Sequence, residues 1–184
     1  MKVTSGTLQG LILIEPKVFG DARGFFMETW NLQKYQAAGI GAPFVQDNIS
    51  VSRRGSLRGL HFQNPNPQGK LVSVLQGEVL DVVVDLRSGS ASFGKSESVL
   101  LTSENKRQFY IPPGFAHGFA VISETAMFHY KCTGSYSPKD EMTLRWNDPA
   151  LGIEWPVAEP IVSDKDAKGL LLKEIPGEKL YNLP

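Results

Sequence analysis

The chain has 184 residues, 41% hydrophobic and 21% charged, with lysine plus arginine and aspartate plus glutamate balanced at 19 each. That length and composition suit one ordinary globular domain with a sizeable core, and without a basic excess a nucleic-acid surface is disfavoured, so an anion must be met by individually placed residues. The single cysteine, Cys132, excludes an internal disulfide, and the opening Met1 to Gly6 has no apolar signal core, so a reducing, cytoplasmic setting with no membrane span is expected.

In chain order, Leu11 to Pro16 is a short apolar run. Phe19 to Glu28 reads as a hairpin turning at Asp21 to Gly24, with Arg23 at its tip and Phe19, Phe25 and Phe26 beside it. Arg23 alone would be solvent decoration, but apolar rings at an exposed tip suggest contact with a ligand or a second subunit. Asn31 to Gly39 predicts a helix, with an N-cap asparagine, Leu32 and Tyr35 at helical spacing and a terminal glycine.

Asp47 to Phe62 is the most informative stretch. Apolar and polar residues alternate, Gly55 marks a turn, and Arg58 and His61 then arrive in one strand-like run. A guanidinium is a fixed anion receptor. A histidine suits proton transfer near neutrality. A lone histidine would be read as a surface or hydrogen-bonded core residue; beside Arg58 it suggests a pocket that grips an anion and moves a proton. Strict alternation places His61 with Gly59 and Gln63, facing away from Leu60 and Phe62.

Lys70 starts the next strand, where a lysine is ordinarily a solvated flank; turned inward, its ammonium would stabilise an enolate oxygen. Val72 to Asp85 reads as two strands meeting at Gln76-Gly77-Glu78, and residues 97–101, 107–111, 118–122 and 126–132 read as further strands. Between the second and third of these lies Pro112-Pro113-Gly114-Phe115-Ala116-His117, which matches the Pro-x-Gly-x-x-His turn of cupin barrels. The paired histidines and glutamate of metal cupins are missing, and two imidazoles without a third ligand make a poor zinc or iron site. His117 is as readily structural as a contact for a non-metal ligand.

Along the last of those strands, Phe128, Tyr130 and Cys132 share one face and His129 and Lys131 the other, so Tyr130 is expected to face inward, as a core residue or a proton donor. From Asn147 onward the chain is proline-rich and is expected to wrap the barrel. Within it, Ser163-Asp164-Lys165-Asp166 is a capping-box pattern that opens a short helix and favours a capping role for Asp166 over a histidine-orienting one. Strands recurring about every ten residues predict a single all-β domain, a jelly-roll or barrel over residues 1–184 with a few short helices, with room for one ligand in its mouth.

These motifs together resemble the dTDP-4-dehydrorhamnose 3,5-epimerase family. The resemblance rests on Asp21-x-Arg23-Gly24-x-Phe26-x-Glu28, Gln46-x-Asn48-x-Ser50, Leu57-Arg58-Gly59-Leu60-His61-x-Gln63, Asp81-Val82-x-Val84-Asp85-Leu86-Arg87, Tyr110-Ile111-Pro112-x-Gly114-x-Ala116-His117-Gly118, Tyr136-x-Pro138-x-x-Glu141 and Ser163-x-Lys165-Asp166. It implies a cupin-type barrel working as a homodimer, without metal or other cofactor, on a dTDP-sugar. It makes His61 the general base, Asp166 its orienting partner, Tyr130 the proton donor and Lys70 the enolate stabiliser. Arg23, Glu28, Gln46, Asn48, Arg58, His117, Tyr136, Glu141 and Lys165 match substrate-binding positions. The hairpin with Phe19, Arg23, Phe26 and Glu28 is implied to reach the neighbouring subunit's site. The implied substrate carries a ketone at C4, so inversion at C3 and C5 needs an acid and a base on opposite ring faces. Three other readings stay open: a mono-epimerase or ketoisomerase on the same scaffold, a metal-dependent cupin enzyme, and a non-catalytic sugar-binding module.

Overall fold

Alternation of apolar and polar residues sorts the chain into two packed sheets. The computed structural model describes residues 1–41 and 43–183. In chain order the elements are β1 (Lys2–Ser5), β2 (Ile12–Glu15), β3 (Val18–Asp21), β4 (Gly24–Met27), α1 (Leu32–Ala37), β5 (Gln46–Arg53), β6 (Leu57–Gln63), β7 (Lys70–Gln76), β8 (Glu78–Asp85), β9 (Arg87–Ser88), β10 (Ser96–Thr102), β11 (Gln108–Ile111), β12 (Phe115–Val121), β13 (Thr125–Cys132), β14 (Glu141–Thr143), α2 (Asp164–Ala167) and β15 (Tyr181–Asn182). A six-stranded sheet runs β1-β2-β11-β7-β13-β5, and a five-stranded sheet runs β10-β8-β12-β6-β14. The architecture is the all-β one expected.

The two strands on either side of Gln76-Gly77-Glu78 do not form a hairpin. β7 belongs to the six-stranded sheet and β8 to the five-stranded one, so the chain changes layers at that turn. Gly77 makes the change with φ +83°, and a Cβ there would lie 2.1 Å from the Thr125 carbonyl oxygen, which leaves glycine as the residue that fits.

The main core lies between the sheets. Val72 and Val74 of β7 and Phe128 of β13 meet Val79 and Val83 of β8 and Phe119 of β12. Phe119 and Phe128 stack with ring centroids 4.1 Å apart. β8 carries valines on both faces because its outer face is covered too: Val82, Val84 and Leu60 pack against Leu151, Trp155, Leu170 and Ile175 of the C-terminal segment. α1 packs Tyr35 with Ile14, Leu71 and Tyr110 in a third cluster. Its N-cap is Asn31, whose side chain accepts from the Lys34 amide.

β3 and β4 form a separate two-stranded hairpin with Asp21 opposite Gly24. Its rings stay open to solvent, Phe19 at 53% and Phe26 at 70% exposure. Among the described residues, no helix is long and apolar enough to cross a membrane.

Candidate active site

Arg58 and His61 are three residues apart, so a regular strand would point them to opposite faces. The register between β6 and β12 removes the conflict. His117 pairs with His61, but Phe119 pairs with Arg58, so β6 spends two residues, Gly59 and Leu60, where β12 spends one. This extra residue restores parity, and both side chains line one cavity. The two backbones approach closely here. A Cβ on Gly59 would sit 2.7 Å from the His117 carbonyl oxygen and from Gly118 Cα. Gly59 also has φ +117°, and its amide donates to Asp166 Oδ2 at 3.2 Å.

Asp166 therefore does more than cap. Its backbone amide donates to Ser163 Oγ at 3.1 Å, the cap interaction read from the sequence. Its carboxylate turns to β6, where Oδ1 lies 2.6 Å from His61 Nε2. The added contact has a plain cause. Among the described residues, tertiary folding lays the start of α2 across β6, and a buried carboxylate beside an imidazole forms a charge-assisted hydrogen bond. Burial pushes the Asp166 carboxyl up, but His61, the Gly59 amide and Ser163 together outweigh it and hold the group below its ordinary value. With Nε2 donating to Asp166, Nδ1 is left as the ring nitrogen able to accept a proton.

His117 repeats the pattern one strand over. Its Nε2 lies 2.8 Å from Asp81 Oδ2, and both groups are buried. Burial pushes His117 down against the pull of Asp81, and pushes Asp81 up against the pull of His117, so both shifts favour the neutral forms.

The facing sheet supplies the other wall. Tyr130 of β13, Lys70 of β7 and Ser50 of β5 line the same cavity, about 130 Å³ in volume, opposite His61, Arg58 and His117. Tyr130 faces inward, as its alternation predicts, and burial pushes its phenol up, which keeps it protonated. Lys70 is not a solvated flank. Burial pushes its ammonium down, against Cys132, Glu141 and Asp81, which hold it up. A groove of about 430 Å³ adjoins the cavity at Arg58 and His61 and continues past Lys165. Arg58 is aimed by Ser52, whose Oγ accepts from Arg58 Nε at 2.9 Å.

At the mouth, Glu141 accepts from the Tyr136 hydroxyl at 2.9 Å and pairs with the Lys165 ammonium. Gln46 donates to Asn48 Oδ1 at 3.0 Å and accepts from the Tyr136 amide at 2.9 Å. Asn48 in turn reaches Cys132 Sγ at 3.8 Å. Within one chain the hairpin residues are not brought to this place. Phe19, Arg23 and Phe26 line a groove of the hairpin's own. Arg23 pairs with Asp21 at 2.6 Å, and Glu28 with Lys34 at 2.8 Å.

Two supporting residues escape sequence reasoning: Ser52 behind Arg58 and Asp81 behind His117. Asp81 had a signal, a lone carboxylate in the run Val79-Leu80-Asp81-Val82-Val83-Val84, because a charge inside a buried strand needs a partner. Among the described residues, no group of three or more His, Cys, Asp or Glu side chains is placed to hold a metal ion.

The model of the dTDP-4-dehydrorhamnose 3,5-epimerase family matches residues 5–174. The dTDP-4-dehydrorhamnose 3,5-epimerase of Pseudomonas aeruginosa is 52% identical over 171 residues, 92% of this chain and 94% of that protein. That of Methanothermobacter thermautotrophicus is 50% identical over 173 residues, with the same two coverages. Among solved structures, a 3,5-epimerase from Legionella pneumophila in complex with dTDP-4-keto-L-rhamnose superposes with a TM-score of 0.96 at 50% identity, covering all of this chain and 98% of that one.

Proposed function

This chain belongs to the dTDP-4-dehydrorhamnose 3,5-epimerase family, and on that premise we propose how its cavity inverts C3 and C5 of a dTDP-linked 4-keto-6-deoxyhexose. The observation that carries the reading is the division of labour between the sheets. An imidazole backed by a carboxylate stands on one wall, and a phenol kept protonated stands on the other.

The ketone at C4 acidifies the hydrogens on C3 and C5. His61 Nδ1 accepts one of them, and the electron pair moves onto the C4 oxygen as an enolate. Asp166 steadies the imidazolium through Nε2, as a carboxylate does in hydrolase triads. Lys70 faces the developing oxyanion with its ammonium; this charge exists only along the reaction path, so its stabilisation lowers the barrier. The enolate then collapses while the Tyr130 hydroxyl donates a proton to the opposite face of the same carbon. His61 gives up its proton and Tyr130 regains one from solvent before the second centre reacts. No electron leaves the sugar, so the step itself balances without an oxidant or reductant.

Arg58 and Lys165 border the adjoining groove and suit a diphosphate, with the guanidinium binding two oxygens at once. Gln46, Asn48, Tyr136, Glu141 and His117 are assigned to holding the nucleotide sugar around them. Phe19, Arg23, Phe26 and Glu28 are assigned to the neighbouring subunit's site in a homodimer. The support is their exposure in the single chain and the outward Ile49 and Val51 of edge strand β5, 60% and 57% exposed, which offer an apolar face for the second copy. Incubation with dTDP-4-keto-6-deoxyglucose in D₂O tests the reading by proton NMR. Deuterium should enter at both C3 and C5 with formation of the L-rhamno product. Label at a single carbon, or none, overturns it.

A further inference from the structure

We infer that Ser50 is a further substrate-positioning residue whose hydroxyl holds a ring hydroxyl of the bound hexose. The inference rests on the cavity being the hexose site. β5 turns four polar side chains inward: Gln46, Asn48, Ser50 and Ser52. Three of them are engaged within the chain. Gln46 and Asn48 bond each other, and Ser52 accepts from Arg58. Ser50 Oγ is buried and has no partner, one of two such side-chain atoms among the described residues. The other, Asp81 Oδ1, belongs to the carboxylate behind His117, beside the same cavity.

A buried hydroxyl without a partner is rare and calls for a reason. Ser50 lines the cavity directly, with Tyr130 and Lys70 on its own sheet and His61 across from it. It sits opposite Phe128 in the β5–β13 register, one pair along from Asn48 and Tyr130. The Phe128 side chain offers that oxygen no hydrogen-bonding group. A hydroxyl can both donate and accept, which matches the hydroxyls of a hexose better than a carboxylate or a base. Its wall is that of Tyr130, so the contact falls on the ring face to which the proton is returned. A ligand hydroxyl there would pair with an atom that has no hydrogen-bond partner among the described residues.

Ser50→Ala is the test, read by thermal melting, by binding of dTDP and of dTDP-glucose, and by deuterium incorporation. Because Oγ has no partner among the described residues, the melting temperature should hold or rise. Affinity for dTDP should stay at the wild-type value, while affinity for dTDP-glucose should fall about two- to tenfold, the worth of one neutral hydrogen bond. A lowered melting temperature or a variant that does not fold would show a structural partner and overturn the inference. So would equal losses for both ligands, or no loss for either. Wild-type protein that exchanges no deuterium would sink the epimerase reading itself; wild-type exchange with unchanged Ser50→Ala binding sinks Ser50 alone.

Discussion

Replacing Asp166 by asparagine should damage catalysis more than replacing it by alanine, because of how its two oxygens are used. Oδ2 accepts from the Gly59 amide at 3.2 Å, and Oδ1 faces His61 Nε2 at 2.6 Å. An asparagine must keep its oxygen toward the Gly59 N–H, so its NH₂ group is left facing His61. Nε2 then has to accept, the ring proton moves to Nδ1, and the cavity is offered a donor where it needs a base. A positioned base contributes about 10²- to 10⁴-fold, and a wrong tautomer in a hydrolase triad costs about 10⁴-fold, so Asp166→Asn should lose about 10³- to 10⁴-fold in kcat. Asp166→Ala leaves the imidazole free to choose its tautomer. It forfeits a charged hydrogen bond worth about 1.5–3 kcal/mol, or about 10- to 150-fold. It also orphans the Gly59 amide, so alanine should cost about 1–3 kcal/mol in stability and asparagine less. Deuterium exchange at C3 and C5 by NMR gives the rates, and urea unfolding gives the stabilities. Asparagine retaining more activity than alanine would refute the assigned tautomer.

His61→Ala should abolish exchange at both carbons, whereas Tyr130→Phe should permit exchange while impairing inversion; wild-type rates in either variant, measured by the same NMR assay, remove that residue from the mechanism. Burial lowers the Lys70 ammonium from its ordinary 10.5, so kcat/KM should decline on the alkaline side below that pH, and a profile flat to pH 10.5 would contradict Lys70 as the charged stabiliser. Mixed dimers of inactive Arg23→Ala and His61→Ala chains should regain activity by carrying one intact site, and mixtures without activity would refute the shared hairpin. Burial raises the Asp85 carboxyl, but Arg87, Ser90 and Ser92 outweigh it and bring it down to about 2 from 3.8. Its folded value lies below its unfolded one, so its stabilisation, about 2 kcal/mol, is present above pH 4 and lost as the pH falls toward 2. Urea unfolding of Asp85→Asn should show a correspondingly weaker loss of stability over that interval.

Much of this molecule is written in local order. Alternation marked the strands on either side of Gly77 and placed Tyr130 inward and His129 outward, because side chains in a strand have a strict period of two. Asn31 and Ser163 marked helix starts because a short polar side chain satisfies a free amide there. The motif set also sufficed to place the family, since its spacing runs along the chain and needs no fold to be read.

What lies across the chain was not legible in the same way. The same alternation sets Arg58 and His61 back to back, and only the register against β12, with its extra residue at Gly59-Leu60, turns them to one cavity. The Asp166 pattern favours a cap, and a contact 105 residues away decides where its carboxylate goes. Ser50 and Ser52 look alike on the strand, yet one is occupied by Arg58 and the other is unpaired. Sequence by itself determined the faces of regular strands and which chemistry was on offer. Tertiary structure decided which groups meet, because hydrogen bonds and charge pairs act over a few ångströms and a linear string carries no distance between its remote positions.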